Sequence, residues 1–116
     1  MKLFSALGLG LSTLWLCPPS QRREPRVESP KRLSVEIQNF DFAPRELSLT
    51  VGDTVVWVNK DSFMHTSTSD STAWSSPDLS PGDRFEFVVR TAGRFAYHCA
   101  AHPVMHGTLS VKESEK

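Results

Sequence analysis

A chain of 116 residues and 13.0 kDa has room for one small domain. Its 13 basic and 13 acidic side chains cancel overall, but residues 1–32 carry 6 basic and 2 acidic groups and the remainder 7 and 11. A mildly acidic body lacks the basic face that nucleic acid requires, and two cysteines, Cys17 and Cys99, in segments of different character argue against a disulfide framework.

Residues 1–17 begin with Lys2 and continue in an apolar run from Leu3 to Leu16, the form of a signal peptide or N-terminal anchor. The run is shorter than the roughly 20 apolar residues of a membrane span. An extracytoplasmic location follows, in the periplasm or on the outer face of a membrane. The box Leu14-Trp15-Leu16-Cys17 has the position of a lipoprotein cleavage site, although Leu16 stands where a small residue is usual. Lipid attachment at Cys17, cleavage nearby and an uncleaved anchor therefore stay open. Residues 18–32, PPSQRREPRVESPKR, contain four prolines and alternating charges and too little apolar surface to order themselves, so they read as a disordered linker.

From Leu33 the pattern becomes that of strands. Leu33, Val35 and Ile37 alternate with polar residues, Phe40 and Phe42 prolong the apolar face to Pro44, and Leu47, Leu49 and Val51 form a second alternating set. Gly52-Asp53 has the composition of a hairpin turn into the core strand Thr54–Val58. A long polar connection from Asn59 to Gly82 follows, and such loops are more often functional than idle. His65 is its only histidine; Trp74 and Leu79 are expected to pin it to an edge, with Asp61, Asp70 and Asp78 solvated. Asp83–Arg90 alternates again, with Phe85, Phe87 and Val89 on one face. In Arg94–Cys99 the residues Phe95, Tyr97 and Cys99 share a face, opposite His98. Gly107–Val111 is a last strand, and residues 113–116 are a polar tail. Seven to eight short strands without helical periodicity predict an all-β, antiparallel Greek-key sandwich over residues 33–112.

The segment YHCAAHPVMHG, residues 97–107, concentrates the chemistry. Cys99, His102 and Met105 place a thiolate, an imidazole and a thioether at C-x2-H-x2-M spacing. Soft sulfur favours Cu(I) while imidazole tolerates Cu(II), so this set suits one copper ion cycling between the two states. A second imidazole is needed, and His65 is the best placed. Zinc would accept the cysteine and histidines but gains little from a thioether. A buried inert thiol, surface histidines and a core methionine are the ordinary fates of these residue types taken singly; their convergence argues for ligation.

The same segment resembles the C-terminal copper loop of the small blue copper proteins, the cupredoxins, with the spacing found in amicyanin. The run from Phe42 to His65, F-x-P-x-x-L-x-L-x-V-G-D-T-V-V-W-V-N-x-D-x-x-x-H, is similar to the family's approach to its first histidine. The resemblance implies His65, Cys99 and His102 as strong ligands and Met105 as the axial one, with His98 and His106 outside the set. Thr66 departs from the asparagine common after the first histidine; it can keep a backbone bond to the cysteine sulfur but is expected to brace the loop less well. The implied role is a monomeric one-electron carrier, not an enzyme, meeting a redox donor and acceptor through the apolar surroundings of His102. Copper storage or delivery to a partner enzyme is the alternative, and a tether to the membrane through the N-terminal segment is compatible with either.

Overall fold

The computed structural model describes residues 29–115, together with Gly10. Apart from Gly10, the expected signal or anchor at 1–17 with the Cys17 lipid site lies outside the described residues, as do residues 18–28 of the linker. Eight strands form: β1 (Arg32–Gln38), β2 (Asp41–Ala43), β3 (Glu46–Thr50), β4 (Thr54–Asn59), β5 (Thr68–Ser69), β6 (Arg84–Val88), β7 (Gly93–His98) and β8 (His106–Lys112). They make two four-stranded sheets, ordered β2-β1-β4-β6 and β3-β8-β7-β5. No helix occurs among the described residues.

The alternation read from the sequence points the expected side chains inward. Val35, Ile37, Phe42, Leu49, Tyr97, Cys99 and Leu109 are buried, while their sequence neighbours face out. β4 is buried almost throughout, as suits a strand flanked by β1 and β6. Trp57 anchors the centre, stacked on Trp74 at 5.6 Å and edge-on to Tyr97 at 5.4 Å between ring centroids.

Several expectations are corrected. The sheets are mixed rather than antiparallel, because β1 pairs with β4 and β3 with β8 in parallel. The Gly52-Asp53 turn is not a hairpin: β3 and β4 lie in different sheets. Its cause is visible in Asp53, whose carboxylate accepts the Thr50 N–H at 2.9 Å and, from the far side, the Lys31 N–H at 2.9 Å, drawing the turn across to β1. Gly52 turns there at φ 103°, a value that suits glycine. Thirdly, Trp74 and Leu79 do not pin the long loop to an edge but close the core itself. Arg32, assigned to the linker by composition, belongs to β1, where it faces Thr54 in register and pairs with Glu86.

Phe40 leaves the apolar face that sequence periodicity gave it. Asn39 and Phe40 both adopt left-handed backbone, with φ of 55° and 54°, making the β1–β2 turn and swinging the Phe40 ring towards the end of the sandwich where the long loop returns.

Candidate metal centre

The long connection 59–82 carries only the two-residue strand β5 after the end of β4, yet is firmly held. Asn59, fully buried at the end of β4, donates to the carbonyls of Phe63 at 2.7 Å and Leu79 at 2.8 Å, and its own side-chain oxygen accepts the Asp61 N–H at 2.9 Å. His65 and Leu79 exchange both backbone hydrogen bonds. Further on, the Trp74 indole N–H donates to Ser67 Oγ at 2.9 Å. His65 is thereby fixed, fully buried, at one end of the sandwich.

The second loop, 99–105, is a tight turn between β7 and β8. The His102 N–H donates to the Cys99 carbonyl at 3.2 Å, Met105 to His102 at 2.9 Å and Cys99 to Met105 at 3.2 Å. Strand alternation aims the Cys99 thiol inward, as expected from Phe95 and Tyr97. Met105 is buried in the core cluster that also contains Cys99, and His102 is half-buried.

These loops bring His65, Cys99 and His102 together, with one ligand atom from each lying within 4.8 Å of the others. Cys99 Sγ stands 3.7 Å from His65 Nδ1 and 3.7 Å from His102 Nδ1. A sulfur about 2.3 Å and a nitrogen about 2.0 Å from one ion would be roughly 3.7 Å apart at a trigonal angle and roughly 3.5 Å at a tetrahedral one. The observed spacing is that of donors sharing one ion. Two imidazoles and a thiolate in that arrangement, with a thioether on the same loop, fit one copper ion better than zinc.

The surroundings hold the donors. Thr66 donates its N–H to Cys99 Sγ at 3.4 Å, and its hydroxyl oxygen accepts the Ala100 N–H at 2.8 Å while meeting Thr68 Oγ1 at 3.0 Å. The Thr66 backbone keeps the bond to the cysteine sulfur, as expected, and its hydroxyl ties the first-histidine loop to the cysteine loop. Asp61, expected to be solvated, is instead 2.8 Å from His65 Nε2 through Oδ2. It also accepts the N–H groups of Asn39 at 2.6 Å and Phe40 at 2.9 Å. Burial pushes its carboxyl up, but the Phe40 and Asn39 N–H groups and His65 together outweigh that and hold it below its ordinary value. The sequence marks Asp61 only by its position four residues before His65, within the motif that ends on that histidine, and Phe40 lies before that motif begins.

His98 and His106 stay apart from the three clustered donors. His98 points outward, with its Nδ1 2.5 Å from Asp70 Oδ1, and His106, its register partner on β8, is exposed.

The chain belongs to the cupredoxin-like domain family, whose pattern matches residues 6–111. It is 29% identical over 83 residues to amicyanin from Paracoccus denitrificans, covering 67% of this chain and 63%, under two thirds, of amicyanin's length. An amicyanin variant in a Cu(I) form superposes with a TM-score of 0.67 at 26% identity, over 70% of this chain and 82% of that one. Plastocyanin from Scenedesmus fuscus is 31% identical over 84 residues, 61% of this chain and 86% of plastocyanin. A purple cupredoxin from Nitrosopumilus maritimus gives a TM-score of 0.64 at 32% identity, over 69% of this chain and 99% of its own.

Proposed function

We propose that this protein is a type 1, blue copper protein that carries single electrons between extracytoplasmic redox partners. His65, Cys99 and His102 are its strong ligands and Met105 its weak axial one. Copper, when bound, supplies the one-electron couple between Cu(I) and Cu(II). The chain's part is to hold a donor set acceptable to both states, and the observation that supports this most is the double bracing of the thiolate. Sγ receives the Thr66 N–H, while the Thr66 hydroxyl holds Ala100 beside it. A shell filled by four protein donors leaves no open position for a substrate, which favours a carrier over an enzyme.

The half-buried His102 is the natural exit for the electron. Around it Ala100, Ala101, Pro103 and Val104 are exposed, and the ring of Phe40 lies edge-on at 5.1 Å, itself in contact with Phe63 at 5.0 Å. Phe40 is 44% and Phe63 57% exposed, so the apolar face is wider than the sequence implied. A small apolar surface of this kind suits brief docking of a monomer to its donor and acceptor. The extracytoplasmic location rests on the leader-like residues 1–17.

Adding Cu(II) to the purified protein is expected to give an intense visible thiolate-to-copper band, bleached by reductant and absent in Cys99→Ser. A colourless protein that binds zinc in preference would overturn the proposal. Ready transfer of Cu(I) to a chelator, with no reversible redox wave, would favour copper delivery instead.

A further inference from the structure

Asp61 is a buried-side carboxylate shared by two parts of the site that are far apart in sequence. Oδ2 faces His65 Nε2 at 2.8 Å and also accepts the Phe40 N–H at 2.9 Å; Oδ1 accepts the Asn39 N–H at 2.6 Å. Its side chain is 10% exposed, and His65 is fully buried. Asn39 and Phe40 are the two residues with left-handed backbone, a conformation uncommon for phenylalanine. The Phe40 ring that results stands edge-on to both imidazoles, 5.3 Å from His65 and 5.1 Å from His102.

We infer that Asp61 is a positioning residue for the copper centre, acting on it in two ways at once. By accepting the Nε2–H of His65 it keeps the Nδ1 lone pair aimed beside Cys99 Sγ and makes that imidazole a stronger donor, which favours Cu(II) over Cu(I). By accepting the Asn39 and Phe40 N–H groups it holds the left-handed turn that seats the Phe40 ring against both histidines. The same carboxylate thus ties the electron balance of the metal to the shape of the apolar face around His102. The inference rests on the copper assignment only for its effect on the metal; the left-handed turn and the 2.8 Å contact between Asp61 and His65 stand without it.

Two variants separate charge from hydrogen bonding. In Asp61→Asn the amide oxygen can stay at the Oδ2 position and still accept from His65 and Phe40, losing only the charge and the Asn39 bond. In Asp61→Ala every bond is lost. Asp78→Asn, which removes an exposed carboxylate of the same loop, is the control for charge alone.

The full-length copper-free protein is first followed by NMR. Wild type is expected to show the Nε2–H tautomer of His65 with a slowly exchanging ring proton, and protected amides at Asn39 and Phe40. In Asp61→Ala all three protons are expected to exchange at least about tenfold faster. In the copper-loaded protein the ratio of Cu(II) to Cu(I) affinity is expected to fall about tenfold in Asp61→Ala, a rise of about 59 mV in reduction potential, and by less in Asp61→Asn. Asp78→Asn should leave both sets of measurements as in wild type. Unchanged exchange at His65, Asn39 and Phe40 in Asp61→Ala would overturn the positioning role, and an unchanged potential with altered exchange would overturn its effect on the metal. If wild type itself took up no copper, the functional proposal would fall and the exchange measurements would still decide the role of Asp61.

Discussion

Single side chains decide how tightly the two ligand-bearing loops are joined. Thr66→Val keeps the backbone N–H bonded to Cys99 Sγ but removes the oxygen that accepts the Ala100 N–H. Leaving that donor unpaired is expected to cost about 1–3 kcal/mol in denaturant unfolding of the copper-free protein. Gly107→Ala is expected to be harsher, because a Cβ there would overlap the ring and hydroxyl of Tyr97, its register partner on β7. Overpacking of that kind costs typically about 1–3 kcal/mol and sometimes more; the check is a lowered melting temperature, partly restored by shrinking Tyr97 in Gly107→Ala/Tyr97→Leu. Most of the site is legible at this scale. Cys99, His102 and Met105 announce themselves by donor type and spacing, and His65 by being the only histidine in the long loop. Asp61 and Phe40 are not legible in the same way, because their partnership depends on a left-handed turn at 39–40 and closes over more than 20 residues of sequence.

At the level of strands, alternation reports which face a residue takes and says nothing about which strand lies beside it. Hence alternation puts Val35, Ile37, Leu49 and Tyr97 inward, as they are in the structure, while carrying no signal for the parallel pairings of β1 with β4 and β3 with β8. Gly52-Asp53 illustrates the limit. Its composition is that of a hairpin, but the Asp53 carboxylate takes one N–H from Thr50 and one from Lys31, so the turn changes sheets. Asp53→Ala is expected to leave two donors unpaired and to destabilise the fold by about 2–4 kcal/mol, read as a lower denaturant midpoint with an unchanged slope. Asp53→Asn, which retains one acceptor oxygen, should cost less.

Across the whole molecule, acid is the expected route to unfolding. The Arg45 guanidinium bonded to Asp41 holds that carboxyl below its ordinary value of 3.8, against the opposing effect of burial, and Arg32 does the same for Glu86. A carboxyl whose value is lower in the folded state contributes stability above its unfolded value, and loses it as pH falls through the folded one. Stability of the copper-free protein should therefore decline from about pH 4 downwards. Arg45→Ala should lower stability slightly at neutral pH, since the pair is exposed, and flatten the acid decline by that same small amount. Measuring the denaturation midpoint between pH 7 and pH 2 in both proteins tests the sign.

The place of β8 in its sheet sets a timetable. It is the last of the eight strands to be synthesised, yet it lies between β3 and β7 and is the parallel partner of β3. Until residue 112 has been made, β3 has no neighbour in its sheet and the turn from Cys99 to Met105 has only one of the two strands that hold it. The turn from Cys99 to Met105 gains its second flanking strand only when β8 arrives.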